Sequence, residues 1–243
     1  MQNTENNKMQ VEIWSDIMCP FCYIGKRNFE GAFQEFADQA NVEITWKSFQ
    51  LDPTLPEKEE LNQTQYLTER KGMPAEQIAS MLDHVTNLAK DAGLDFHFES
   101  VITVNSFSAH RLIQFAKSKG LGDVAEERFF SAYFKEGADI ANRTTLYKLG
   151  EEIGLTAADV EEALTDDKYA YKVSQDIQEA QAIGVRGVPF FVFDRKYAIS
   201  GAQPTAAFTE TLSKAFTEWR EKNPVSPFEI SNGPSCSPDG HCE

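Results

Sequence analysis

The chain has 243 residues, 41% of them hydrophobic, enough for a sizeable core in one large domain or in a domain carrying an insertion. Its 38 acidic residues outnumber 23 lysines and arginines, giving a net charge of -15 that opposes phosphate backbones and argues against nucleic acid as a partner. No segment approaches the ~20 apolar residues of a membrane span, and the polar start MQNTENNKMQVEIW lacks a basic-then-apolar secretory pattern, so a soluble, cytoplasmic protein with no membrane partner is expected.

Residues 1–8 are polar and read as disordered. QVEIWSDI (10–17) alternates apolar and polar residues, as a half-buried strand does. Pro20 then falls in the first turn of a helix, where its missing N–H costs little. That helix is predicted over 20–38, with Phe29, Phe33 and Phe36 at helical spacing. VEITWKSFQL (42–51) alternates again and is stopped by Asp52-Pro53 and Leu55-Pro56. From 57 to 183 the pattern is helical, in segments 57–71, 74–92, 106–119, 122–136, 144–153, 156–164 and 167–183 separated mostly by glycines. Strand signals return at 189–194 and 197–201, with Arg195-Lys196 as the tight turn between them. A last amphipathic helix covers 204–222, and 223–243 is a proline-rich extended tail.

The order predicts an α/β fold. Residues 9–56 and 184–222 form one unit, and 57–183 form an all-helical domain inserted between its strand–helix–strand half and its hairpin–helix half. A right-handed crossover makes the first two strands parallel neighbours, and the hairpin extends the same sheet.

The four cysteines form two close pairs, Cys19/Cys22 and Cys236/Cys242. Close pairs outside a small secreted scaffold point to redox chemistry or metal. Cys19 stands where a strand ends and a helix begins. Unpaired N–H groups and the positive end of the helix dipole stabilise a thiolate there, and cysteine pKa values fall from about 8.5 to ~3.5–7 in such places. Cys22 follows within one turn, so its sulfur can reach Cys19. The first thiol is expected to be the exposed attacker and the second the buried resolving thiol. Two other readings stay open. Cys19, Cys22, Cys236, Cys242 and His241 contain enough ligands for zinc, although a helix start and a loose tail make a poor rigid site, so no metal is expected. The pair also fits as two small apolar residues at a helix start. Val188-Pro189 reads as an ordinary strand opening. Beside a redox pair it also suggests a cis proline that turns the Val188 backbone toward an extended peptide.

The stretches SDIMCPFCYIGK, FQLDP, NSFSAHRL and GVRGVPFFVFDRKYAISGAQP, with the helical insertion, resemble the thioredoxin-like DsbA family and its FrnE-like branch from residue 10 to about 220. The resemblance implies a thioredoxin fold interrupted by helices. It implies a thiol–disulfide oxidoreductase or protein disulfide isomerase, with Cys19 as nucleophile, Cys22 as resolving cysteine and Pro189 in cis. Disulfide-containing proteins would be the substrates and a thiol reductant the partner, with no tightly bound cofactor beyond the redox-active disulfide. Glutathione or another small thiol would serve as electron donor. Relatives also include kappa-class glutathione transferases and 2-hydroxychromene-2-carboxylate isomerases, which typically carry serine where Cys19 stands, so a glutathione-dependent isomerase or transferase of a small aromatic molecule is the alternative. Periplasmic DsbA enzymes have histidine between the cysteines. Here Pro20-Phe21 supplies neither charge nor hydrogen bond, which implies a weaker oxidant. Pro20, Phe21, Val188, Pro189 and His110 are the candidate substrate-binding residues.

Asp16 reads as a cap for the loop or helix start, or as a proton acceptor three residues before Cys19. His110 resembles a position that faces the active-site groove, and Arg111 reads as a surface cation. RFFSAYF (128–134) reads chiefly as core. Cys236 and Cys242, around the turn Pro238-Asp239-Gly240-His241, are a candidate second redox pair within reach of Cys19.

Overall fold

Strand β1 (Met9–Ser15) is buried along its whole length except at Gln10. Packing on both faces explains why it carries so many apolar residues for a strand. A computed structural model describes residues 8–56 and 61–224. In its main sheet the strand order is β2-β1-β5-β6. Strand β2 (Val42–Ser48) pairs with β1 in parallel, from Met9 opposite Val42 to Ser15 opposite Ser48. Strand β5 (Phe190–Phe193) lies antiparallel on the other side of β1, with Val11 opposite Phe193, and β6 (Tyr197–Ser200) completes a hairpin with it. The turn of that hairpin is Asp194-Arg195, both at positive φ (49° and 52°), and not Arg195-Lys196 as the sequence suggested. Positive φ at two successive residues matches the right-handed twist of the flanking strands.

Helices α1 (Pro20–Gln34) and α9 (Thr205–Lys222) cover one sheet face, where Val11, Ile13, Phe29, Phe191, Phe193 and Phe208 pack together. On the other face lie Trp14, Val192, Val185 and Ala180, the last from α8 (Asp167–Ala182), and the Trp14 indole N–H donates to the Asp176 carbonyl at 2.9 Å. Helix α1 ends four residues earlier than its phenylalanine spacing predicts. Phe36 still reaches the core, from the turn beyond the helix, and packs edge-on against Phe216 at 5.1 Å.

The insertion contains α3 (Ala75–Asp91), α4 (Phe107–Ser118), α5 (Gly122–Phe134), α6 (Arg143–Glu152), α7 (Ala157–Thr165) and α8. It is not all-helical. Leu61–Asn62 (β3) pairs antiparallel with Ile102–Thr103 (β4), where a helix over 57–71 was expected. Among the described residues of that stretch, the helical part is a capped turn, α2 (Gln63–Gln65), and a π-helical turn over Tyr66–Arg70. Phe129, Phe130 and Phe134 of RFFSAYF are buried in the insertion's core, which also takes in Ile17, Met18, Cys19, Cys22, Tyr23 and Ile24. The junction between the two halves therefore runs through the cysteine motif. Tyr23 stacks on Phe130 at 4.9 Å, and Arg111 caps the end of α7 through the Ala163 and Asp166 carbonyls. Among the described residues no helix is long and apolar enough to cross a membrane.

Candidate active site

Cys19 is the N-cap residue of α1, with extended backbone (φ −90°, ψ 110°) and Pro20 at the first helical position. Its amide donates to the Asp16 carbonyl at 2.9 Å, closing a tight turn between β1 and α1. The first turn of α1 carries no acidic residue, so nothing there offsets the unpaired N–H groups that surround the cap. Both cysteines are free thiols. Cys19 is 4% exposed and Cys22 is wholly buried, so the outer thiol is far less open than the sequence led us to expect. The cover comes from the insertion's core and from the loop ahead of β5.

The Val188–Pro189 bond is cis, and the Cys19 thiol donates to the Val188 carbonyl at 3.4 Å. Pro189 is held from below by Gly25, where a β-carbon would stand 2.9 Å from Pro189 Cγ. A glycine inside an otherwise helical pattern is a sequence signal for such a close approach, and our reading passed over it.

Burial pushes the Cys22 thiol well above its ordinary pKa, and the adjacent Cys19 sulfur pushes it further. The Asp16 backbone N–H and the Ser15 hydroxyl act in the opposite direction. Cys22 is therefore a protonated thiol poised beside its partner.

Asp16 is completely buried and works as a cap. Its carboxylate accepts from the Met18 amide at 3.3 Å and from the Leu51 amide at 2.7 Å, tying the cysteine loop to the end of β2. Strand pairing of β2 stops at Ser48, short of the expected Leu51, where this side chain takes over the backbone. His110 does not reach the surface. It is 0% exposed, with Nε2 3.3 Å from the Asp16 carboxylate. The sequence reading missed Ser15 and Glu126. Glu126 is a buried glutamate whose pKa burial raises to about 7, although His110, Lys117 and Lys26 pull it back. Its neighbours come from other elements, and no local pattern marks it.

Pro20 and Phe21 lie between the thiols on the outer side of α1, and Phe21 is the exposed one at 39%. A cavity of about 430 Å³ opens beside it, walled by Phe21, Ile24, Leu88, Ala92, Ala202 and Pro204 among others. Cys236 and Cys242 lie outside the described residues, as do residues 1–7. Among the described residues no group of three or more histidine, cysteine, aspartate or glutamate side chains is placed to hold a metal ion.

Comparison with known proteins places this arrangement. A probable DsbA oxidoreductase from Streptomyces coelicolor is 35% identical, with a TM-score of 0.82 over 97% of this chain and 98% of its own. The uncharacterized protein YwbO of Bacillus subtilis is 27% identical over 218 residues, 88% of this chain and 98% of that protein. The cytosolic disulfide reductase DsbM of Pseudomonas aeruginosa, 18% identical, shares the fold with a TM-score of 0.60 over 88% of this chain and 99% of its own, and has also been solved with GSH. The DSBA-like thioredoxin domain matches residues 10–213, most of the chain, and the protein belongs to that family.

Proposed function

We propose that the protein is a thiol–disulfide oxidoreductase or disulfide isomerase acting on disulfide-containing proteins through Cys19-Pro20-Phe21-Cys22. The observation that carries this reading is the pair of free thiols at the start of α1, the outer one against the Val188 carbonyl and the inner one buried and protonated. The Cys19 thiolate attacks a substrate disulfide. One S–S bond breaks, a mixed disulfide forms, and the other substrate sulfur leaves as a thiolate. Cys22 then attacks the Cys19 sulfur, releases the reduced substrate and leaves a Cys19–Cys22 disulfide. Alternatively a substrate thiol displaces Cys19, which is isomerisation. The Val188 backbone next to cis Pro189 pairs with the extended substrate, and the cavity beside Phe21 takes an apolar side chain from it.

A small thiol, glutathione being the first candidate, returns the disulfide to the dithiol. The GSH bound to DsbM, itself a cytosolic reductase, supports this donor and a cytoplasmic setting. Cys236 and Cys242 are proposed as a second pair that exchanges with the first.

Reactivation of scrambled ribonuclease in a glutathione buffer tests the reading. Activity is expected in the wild type and lost in Cys19→Ser. A Cys236→Ser/Cys242→Ser variant with unchanged substrate and reductant rates removes the tail from the scheme. An inactive wild type removes protein disulfide exchange altogether.

A further inference from the structure

Two cavities meet along the outer side of α1. The one beside Phe21, of about 430 Å³, and a second of about 300 Å³ share the lining residues Asn28, Asp91, Ala92 and Thr205. Phe21 and Ile24 line the first, and Gly31 and Gln34 line the second. Phe21, Ile24, Asn28 and Gly31 follow at steps of three, four and three, which is one face of a helix. The two cavities are therefore one trough running down α1, with the end of α3 and the start of α9 as its walls. At about 1.5 Å of rise per residue it is about 20 Å long from Phe21 to Gln34, room for about six residues of extended chain.

The trough changes character along its length. Near the cysteines its walls are apolar, from Phe21, Ile24, Leu88 and Pro204. Farther down, its charged residues are Arg27, Glu30 and Asp91. Arg27 and Glu30 pair with each other at 2.6 Å, and each has a second partner, Glu127 and Lys26 respectively, so their charges are already balanced. Asp91 is exposed, and its side chain makes no hydrogen bond or ion pair with another of the described residues. It is also the last residue of α3, where the helix carbonyls already concentrate negative potential. An acid in that place costs the helix stability unless a cation comes to it. Lys90 precedes Asp91, but it stands about 100° round the helix and lines neither cavity.

We propose that this trough holds the substrate segment next to the reacting cysteine, and that Asp91 is a specificity residue for a lysine or arginine on that segment. This rests on the disulfide-exchange reading above and adds a charge rule to it. The register follows from the helix. Asn28, which lines both cavities together with Asp91, lies nine residues beyond Cys19, about 13 Å along the axis. An extended chain covers that distance in about four residues. The favoured substrate is therefore a polypeptide with a basic residue about four positions from its disulfide cysteine, on the side that enters the trough. The net charge of -15 draws basic chains to the whole molecule, whereas Asp91 selects where along the chain the cation stands.

The test is kcat/KM for the full reduced chain, with the tail cysteines replaced by serine, on peptides whose single cysteine is held as a mixed disulfide with thionitrobenzoate. Cys19 attacks the peptide sulfur, the S–S bond to thionitrobenzoate breaks, and the coloured thiolate leaves. Otherwise neutral peptides carry one lysine, or one glutamate, at successive positions before or after the cysteine. With Asp91 in place, the lysine-to-glutamate ratio should peak at about tenfold, about three to five positions out on one side, and shrink at high salt. Asp91→Asn should flatten the peak to the ratio seen at the other positions, and Asp91→Lys should invert it. Each ratio is taken within one protein, so a loss of folded enzyme cancels. Glu76→Gln, in the first turn of α3, makes the same change in net charge as Asp91→Asn and should keep the peak. A flat profile with Asp91 in place would overturn the proposal, as would a peak that survives Asp91→Asn or one that Glu76→Gln abolishes. No thionitrobenzoate release from any peptide, or release undiminished in Cys19→Ser, would instead refute the disulfide-exchange reading itself.

Discussion

Gly25 and Pro189 stand so close that a β-carbon on Gly25 would lie 2.9 Å from Pro189 Cγ and 3.4 Å from the Phe191 ring. The helix that carries the cysteines thus presses directly on the loop that carries the Val188 carbonyl. Gly25→Ala gains helix propensity of roughly 0.5–1 kcal/mol, but overpacking typically costs about 1–3 kcal/mol, and the contact atoms belong to a ring with no freedom to swing away. Net destabilisation and slower ribonuclease reactivation are expected. Gly31→Ala, on the same helix, is the control. Its β-carbon would meet Thr205 at 3.5 Å, an ordinary contact, so its melting temperature should rise or hold. Thermal unfolding of the two variants side by side measures the difference.

Cys22 is buried and protonated, and it faces the Cys19 sulfur. Cys22→Ser leaves the attacking thiol in place and removes the group that releases the substrate. A mixed disulfide between Cys19 and substrate should accumulate in this variant, visible as a mass increase by the mass of the bound chain. Neither the wild type nor Cys19→Ser should hold that adduct. An equal yield in Cys19→Ser would show that some other cysteine does the capture.

Features whose cause is local were legible in the sequence. The alternation in QVEIWSDI marks β1, and Val188-Pro189 lies where β5 opens. Elements fixed by distant partners were not legible. Leu61–Asn62 becomes a strand because Ile102–Thr103, about forty residues on, supplies its ladder. The end of α1 was misplaced because Phe36 satisfies the helical spacing while packing on Phe216 from a turn. At the site, the C-x-x-C pair announced itself through its spacing and flanks. His110 was noticed, but its burial was not legible, because its partner Asp16 is 94 positions away. Glu126 had no signal at all, since a glutamate on a helix reads as exposed unless the neighbouring elements are known.

Lys26 is 1% exposed and stands among Glu30, Asp123 and Glu127, with Asp123 and Glu127 both at 3.3 Å. Burial alone would lower its pKa, yet the three carboxylates outweigh it and raise the value, so the ammonium is charged. Together with Arg27–Glu127 and the Tyr23–Glu127 hydrogen bond at 2.7 Å, it fastens α1 to α5 of the insertion just behind the cysteines. Removing one partner of a fully buried pair costs about 3–5 kcal/mol, but these carboxylates are 28–66% exposed and water can take over. Lys26→Met should therefore destabilise by roughly 1–3 kcal/mol. Lys148→Ala, which breaks an exposed pair with Glu152 at 3.8 Å, should cost less than about 0.5 kcal/mol. Urea unfolding of both variants makes the comparison.

Glu126 makes a pH-dependent contribution to stability whose sign is opposite to that of an ordinary paired carboxylate. Its folded pKa of about 7 lies above the ordinary 4.5 because burial disfavours the anion. Between these two values the native state holds a proton that the unfolded chain has released, so the free energy of unfolding falls as pH rises. The contribution is fully favourable below about pH 4.5 and is exhausted above about pH 7, a span on the order of 3 kcal/mol at 1.36 kcal/mol per pH unit. Glu126→Gln keeps the shape of the side chain and cannot ionise. The stability of the variant relative to wild type should therefore improve as pH is raised from about 4.5 to 8, by up to that amount, with most of the change between about pH 5 and 7. Urea unfolding at a series of pH values gives this difference directly. A constant offset between the two proteins across the series would mean that Glu126 is ionised in the folded protein throughout, with Lys117, Lys26 and His110 supplying enough positive charge to hold it so.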